Sequence, residues 1–476
     1  NGGTLALSGG SALADTSAVT LANVAGVSLS LNASETIGSL AGGGGTGGNV
    51  NIGSHRLTLS GNNSFPTTYS GQLSGSTGGV TKNGSGTFIM NNSSVNYDGD
   101  TIINGGTLQA NAAAIPWGSD LVLADTAGAQ FVVNFTGFAE QFAGLSGGGA
   151  NGGNVVINSG GVLQPGFNDA TSTYHGSISG AGALRKVGGG TLTLNGANTY
   201  AGGTTLSGGT LALGSADALG SAGTILFDGG TLQFSASNTT DYSGRFANTD
   251  NQVFRIDTNG QDLTFASGLI STGGSLIKSG GGGLTLTGTS TFNNGVSITG
   301  GNLTVGDGGT SGGGFTGGID ISSGASLTFD RSDVASFSSV IFGAGSLAYA
   351  GSGTLQLNGN NTFTGGSNLA AGTVELGHAN GLGTSGTISF TGGTLLYNAA
   401  AGDLSSRFSD AANQEFRIDV ASQNVTYASD LVSTGGILVK SGTGSLTLSG
   451  NNTYSGGTTI NAGTLSLGSA GALGSA

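Results

Sequence analysis

GGGTLTLNGANTY at residues 188–200 returns as GSGTLQLNGNNTF at 351–363, and the chain around it returns as well. GTILFDGGTLQF (223–234) recurs as GTISFTGGTLLY (386–397), NQVFRID (251–257) as NQEFRID (413–419), and STGGSLIKSG (271–280) as STGGILVKSG (433–442). The offset is about 162 residues and the repeat fills 184–476. Residues 1–183 have their own repeat of about 104 residues. There VTLANVAGVSLSLN (19–32), IGSLAGGGGTGGNV (37–50) and YSGQLSG (69–75) recur as LVLADTAGAQFVVN (121–134), FAGLSGGGANGGNV (142–155) and YHGSISG (174–180). Self-similarity at fixed spacing marks an array whose units bury their apolar faces only against neighbours. Function is then to be sought on a surface.

Composition narrows the class. Gly is 99 of 476 residues and charged residues are 7%, against about 25% in ordinary soluble domains. The apolar 36% falls in short alternating runs that a core can use, which argues against disorder. No Pro-rich or charge-rich linker interrupts the pattern, so residues 1–476 read as one continuous domain. A net charge of −13 with 11 Lys plus Arg lacks the cationic surface that phosphate backbones or anionic lipids require, excluding nucleic acid as a partner. Zero Cys excludes disulfides, thiolate catalysis and zinc–thiolate sites, and fits a chain kept unfolded for export.

Tetrapeptides such as Thr191-Leu192-Thr193-Leu194 alternate in the period of a strand with one buried face. Gly, Asn and Ser bound each run, as residues suited to tight corners. Leu192, Leu211, Leu232, Phe254 and Leu276 recur at 19, 21, 22 and 22 residues. A second series, Leu206, Ile225, Phe246, Phe265 and Leu286, interleaves with it and is copied as Leu369, Ile388, Phe408, Tyr427 and Leu448. Two interleaved series of one period predict an all-β, parallel β-helix (β-solenoid) of about 20 residues per rung and roughly 23 rungs, with inward columns of apolar side chains and Thr193 and Thr205 facing out. The modules at Gly190 and Gly282 are 92 residues apart, not a whole number of such turns. Some turns must be longer, or a module can start on different faces.

The unit KSGTGSLTLSGNNTYSGGTTINAGTLSLGSAGALGS (440–475) resembles the autotransporter-associated β-strand repeat, also called the passenger-associated transport repeat. Variants stand at 82–109, 186–221, 278–305 and 349–383. The resemblance implies a right-handed β-helix in the passenger of a Gram-negative surface protein, serving as an adhesin or a stalk. On that reading the site is extracellular or at the cell surface, and membrane contact comes only through a barrel outside this segment. Asn1 opens inside a module, since NGGTLAL matches NGGTLQ at 104–109, and Ala476 ends inside another. The expectation is therefore a segment of a longer chain whose ends associate.

Lys82, Lys186, Lys278 and Lys440 share one module position, and their spacing exceeds the Debye length of about 8 Å, so no polyanion row forms. The favoured role is a corner lysine covering apolar surface with its stem. Arg255-Ile256-Asp257 and Arg417-Ile418-Asp419, with Arg245 and Arg407 a strand earlier, could serve lyase or hydrolase chemistry. They are copied with the scaffold, which favours surface ion pairing. His55, His175 and His378 lack acidic neighbours at ligand spacing. Gly309–Gly313 matches G-x-S-x-G as a Gly-rich chain will by chance. Asp98-Gly99-Asp100 lacks the series of a calcium-stacked solenoid. Tyr200, Phe292, Phe363 and Tyr454 recur at one corner and read as packing; Trp117, aligned with Leu219, reads as filling a corner of the core. The departures from the repeat, Gln164–His175 and Gly306–Gly318, are the best places for specific binding, the second being Gly-rich enough to favour flexibility.

The sequence thus predicts no catalytic, cofactor-binding or metal residue, no cofactor, and a non-enzymatic stalk or adhesive surface. The alternatives are a subunit of an extracellular fibre or matrix and, behind it, a polysaccharide-active enzyme. The expected partners are a host surface, a polysaccharide, or further copies assembling end to end or laterally.

Overall fold

The computed structural model describes residues 2–63, 65–92, 94–398 and 402–474. Asn1, Ser475 and Ala476 lie outside them. Contacts divide the chain into two compact units. One comprises the residues up to Thr239 with Arg245–Ala247, the other Thr240–Gly244 with the residues from Asn248 onward. Each is a parallel β-solenoid, about 22 turns in all at ~21 residues per turn. The described residues contain no α-helix, only single 3₁₀ turns such as Phe167–Asp169 and Ser405–Arg407.

Alternation decides the strands. In Thr191–Leu194 the two Leu are buried and the two Thr half-buried. Each strand pairs in parallel with the strand one turn away, so that Leu192 stands beside Leu211 and Leu211 beside Leu232. In the second unit Phe254 stands beside Leu276 in the same way. Turn length follows the number of strands per turn. Between Gln130–Val133 and its partner Asn154–Ile157 the chain makes two further strands, Ala139–Phe142 and Leu145–Gly147. Between Thr191–Leu194 and Thr210–Leu213 it makes one, Thr204–Leu206. The longer N-terminal turns raise the mean above 20 residues.

The second apolar series behaves differently from the first. Ile388 bridges to Phe408 on one sheet, but Tyr427 stands beside Leu448 on another. The Phe408 and Tyr427 rings meet edge to face across the core, centroids 5.2 Å apart. A spacing near one turn can therefore carry the chain to the next face. For the same reason modules start on different faces: Gly283–Leu286, Thr354–Leu357 and Ser445–Leu448 belong to three different sheets of the second unit. This accounts for the 92-residue offset.

A buried amide clamps three of the five modules to their neighbours. Asn198 accepts the Ile178 N–H at 2.7 Å and donates to the Ala218 carbonyl at 2.6 Å, tying the turn before to the turn after. Asn361 does the same between Ile341 (2.8 Å) and Gly381 (2.7 Å), and Asn452 between Leu431 (2.6 Å) and Ala472 (2.5 Å). Ser290 fills the place in the module at 278–305, its hydroxyl accepting the Leu269 N–H at 3.0 Å. The corner aromatics Tyr200, Phe292, Phe363 and Tyr454 are all buried. The Tyr200 and Tyr454 hydroxyls bond to Thr204 (2.8 Å) and Thr458 (2.7 Å). The N-T-Y/F signature is thus a clamp followed by a plug.

Leu232→Ala and Leu395→Ala, each at a fully buried position, should cost about 2–5 kcal/mol in chemical unfolding. Thr193→Ala, on the outer face, should stay within about 0.5 kcal/mol. Equal losses would disprove the inward assignment. Asn361→Ala leaves a buried N–H and a buried carbonyl unpaired and should cost on the order of 3 kcal/mol. Asn360→Ala, whose amide makes only an exposed bond to Asn380 at 2.8 Å, should be near neutral.

Candidate functional site

The lysines are the first correction. Lys82, Lys186, Lys278 and Lys440 occupy inward strand positions and are buried, not draped over a corner. Lys278 Nζ donates to the carbonyls of Ser279 (3.0 Å), Gly280 (2.8 Å) and Gly300 (2.8 Å) and to Thr258 Oγ1 (3.0 Å). Lys440 Nζ donates to Ser441 (3.0 Å), Gly442 (2.7 Å) and Ala462 (3.0 Å). Lys186 reaches Val187, Gly188 and Gly208, and Lys82 reaches Gly84 and Gly105. The ammonium collects carbonyls that two successive corners turn inward. Gly188, Gly280 and Gly442 supply them at φ of 67°, 80° and 79°, a conformation costly for a residue with a Cβ. Burial pulls the Lys82, Lys186 and Lys278 amines down to about 8, and lowers Lys440 as well. In the module without a lysine Tyr349 takes the position, its hydroxyl donating to the Arg331 carbonyl at 3.1 Å.

The arginines are the second correction, because among the described residues neither Arg255 nor Arg417 pairs with the Asp of its own tripeptide. Arg417 pairs with Glu415 at 2.7 Å, while Asp419 accepts the Ala421 N–H at 2.8 Å in its own turn. Asp257 accepts the Asn259 N–H at 2.8 Å in the same way, and Arg255 Nε is buried without a hydrogen bond. Arg407 spreads its guanidinium over the carbonyls of Leu382, Gly383, Ser385 and Gly386 at 2.7–2.9 Å. Arg245 does likewise with Gly220, Ala222 and Gly223. These cations close the preceding corner, as the lysines do from inside.

The remaining sequence candidates stand apart from one another. His175 Nδ1 lies 3.2 Å from the Asn195 amide, and His378 Nδ1 accepts the Asn380 N–H at 3.1 Å. Among the described residues no three His, Asp or Glu side chains converge as metal ligands, at Asp98-Gly99-Asp100 or elsewhere. The loop Gly306–Gly318, expected to be flexible, is pinned by Arg331, which donates to the Gly312 and Thr310 carbonyls and holds Asp333 at 2.6 Å. It borders a cavity of about 340 Å³.

Trp117 is the third correction. It is 58% exposed rather than a core filler. The buried counterparts of Ala218-Leu219 are Ala114-Ile115, so Pro116-Trp117 is an insertion between them and the following Gly-Ser. Ser119 N–H closes a turn on the Pro116 carbonyl at 3.0 Å, which puts Trp117 at its outward second position. The base of this loop is fixed by the buried Glu140, whose carboxyl accepts the N–H groups of Ala114 (3.1 Å) and Ile115 (2.7 Å). Burial pushes Glu140 up to about 8 against those two bonds. Glu35, in the preceding copy of the 104-residue repeat, holds Ala12 and Leu13 in the same manner (3.1 and 2.9 Å), without a Trp in its loop.

Trp117 lines an open cleft of about 920 Å³ in the first unit. Phe138, 78% exposed, and Phe135 line it as well. The floor is the outer face of the sheet of Ala139–Phe142, Val162–Pro165, Ala183–Lys186 and Thr204–Leu206. It presents Gln141 beside Gln164 and Arg185 beside Thr205. Behind Trp117 stands Phe167, ring centroids 5.4 Å apart. Phe167 is carried by three neighbours at positive φ, Gly166 (108°), Asn168 (60°) and Asp169 (57°). The segment Gln164–His175, singled out as a departure from the repeat, thus supplies a floor amide and the support of the Trp. Phe138 gave no signal: its parity matches the inward Glu140 and Phe142, and only Gly137 at φ 86° turns it out.

Five segments of the chain match the passenger-associated transport repeat, at residues 80–110, 184–213, 276–305, 347–376 and 438–467. Each begins with the strand that carries the buried lysine, or Tyr349 in its place. The chain is also a distant homologue of the adhesin autotransporter BmaC of Brucella suis biovar 1, 38% identical over 129 residues. That stretch is 27% of this chain and 4% of the relative, so the chain spans a small part of the curated protein it matches. No solved structure matches it.

A lysine whose folded value lies near 8 against an ordinary 10.5 makes the native state bind fewer protons than the unfolded state between those values. Stability should therefore rise with pH from about 8 to 10.5. The slope in urea titrations should shrink in Lys186→Met and Lys278→Met. A flat profile in the parent chain would refute the buried ammonium.

Proposed function

We propose that this chain is a passenger segment displayed outside a Gram-negative cell, that it acts as an adhesive surface, and that it catalyses no reaction. The observation that carries the reading is the set of five passenger-associated transport repeats, which lie on the strands of the solenoid itself rather than in an appended part. The homology to an adhesin autotransporter over 129 residues supports adhesion as the use of that solenoid. The absence of catalysis is supported by how the acids are occupied. Asp257 and Asp419 bond the backbone of their own turns, and Glu140 the backbone of the Trp117 loop. The outward strand faces of each unit are rich in Thr, Ser and Asn, suited to many weak contacts in parallel.

The test is attachment. Beads coated with the 476-residue chain should bind cultured epithelial cells or abiotic polysaccharide films several-fold more than albumin-coated beads. In the native bacterium, protease added outside intact cells should remove the segment. Attachment no better than albumin, or a segment protected until the cells are lysed, would overturn the reading. Incubation with polysaccharides should release no reducing ends.

A further inference from the structure

We infer that the cleft between Trp117 and Phe138 binds an uncharged saccharide chain, its sugar rings lying on the exposed aromatic faces and its hydroxyls bonding the floor amides. Trp117 and Phe138, 58% and 78% exposed, line one cleft, and two exposed rings on one cleft are a costly surface. Trp117 is presented with care: Glu140 fixes the base of its loop, a closed turn points it outward, and the Phe167 ring packs against it. The strained run Gly166–Asp169 that holds Phe167 is what a scaffold keeps when a position has to be held.

The floor selects the ligand. Gln164 is 8% exposed and lines the cleft, and its side-chain amide, like that of Gln141, makes no hydrogen bond among the described residues. A primary amide offers both donors and an acceptor, which suits hydroxyl groups. The two Gln stand in register on neighbouring strands, so their spacing of about 4.8 Å follows the sheet, and an extended polymer could use both. The single charged side chain among the lining residues, Arg185, is already paired with Asp228 at 3.5 Å and bonded to Ser207 at 2.9 Å. No free charge therefore calls for an acidic ligand, and the net charge of −13 opposes one. A peptide adding as a strand is not served either, because the floor is a sheet face whose backbone groups are spent in the ladder. An oily ligand would leave the amides unpaired. What remains is a ligand with flat apolar ring faces and a rim of neutral hydroxyls.

The inference rests on the adhesive reading and names its ligand class. Trp117 is the only Trp in the chain, so intrinsic fluorescence reports on the cleft directly. Titration of the full chain with neutral gluco-, galacto-, manno- and N-acetylglucosamine oligomers should quench or blue-shift the emission with at least one series. Phe138→Ala and Gln164→Ala keep the reporter and should weaken that titration at least tenfold, with thermal unfolding unchanged. Trp117→Ala should lose the same series on an oligosaccharide array. Emission indifferent to every oligomer, with beads still attaching to cells, overturns the cleft while adhesion stands. So does an amphipathic peptide library that shifts the Trp117 emission while the sugars do not. Saccharide binding by a chain whose beads do not attach supports the cleft and overturns the adhesive reading.

Discussion

Everything in this protein depends on the in-register stacking of one turn on the next. A parallel ladder satisfies the backbone only if each strand meets its copy one turn away, and a slip of one residue would turn Leu192, Leu211 and Leu232 out to solvent. Apolar burial alone tolerates slips of two residues. The buried polar groups do not. Asn198, Asn361 and Asn452 each bond a specific N–H on one side and a specific carbonyl on the other, and displacement would leave three buried groups unpaired. The lysines act in the same way at the corners, where one ammonium gathers carbonyls from two turns. A chain with 7% charged residues thus spends several of its few cations inside the fold or across its corners. They set register there, and the outer surface is left largely uncharged.

The cleft arises where that regularity is interrupted. Pro116 and Trp117 are added between a buried Ala-Ile pair and the next corner, and the extra residues have no place in the stack. Glu140, an inward residue like its counterpart Glu35, bonds the loop base that the ladder cannot reach. Gly137 and the run Gly166–Asp169 then place Phe138 at the same cleft and Phe167 against the Trp. The scaffold is repeated, whereas the binding feature is not. This is the expected division in a repeat protein, since a copied surface cannot carry a unique site.

The sequence by itself determined the architecture. Alternation over four residues, Gly and Asn at each corner, and a return near every 20 residues admit few folds besides a parallel solenoid, because only stacking buries half-apolar strands this short. It also determined that the corner Tyr and Phe are packing, since a residue copied in each module does the module's own work. Tertiary structure alone decided where the polar groups go. Lys186 and Lys278 look like surface residues in sequence because the cost of burying an ammonium is visible there and the carbonyls that offset it, Gly208 and Gly300, belong to the next turn. Arg407 looks like half of an ion pair because Asp419 is near in sequence, while its real partners are carbonyls of the preceding corner. Trp117 aligns with a core Leu on its flanking Gly-Ser, and only the turn closed on Pro116 shows that it points out. Periodicity reports what each strand does with its own alternation. What a side chain finds one turn away depends on corner geometry, and that is set by the stack as a whole.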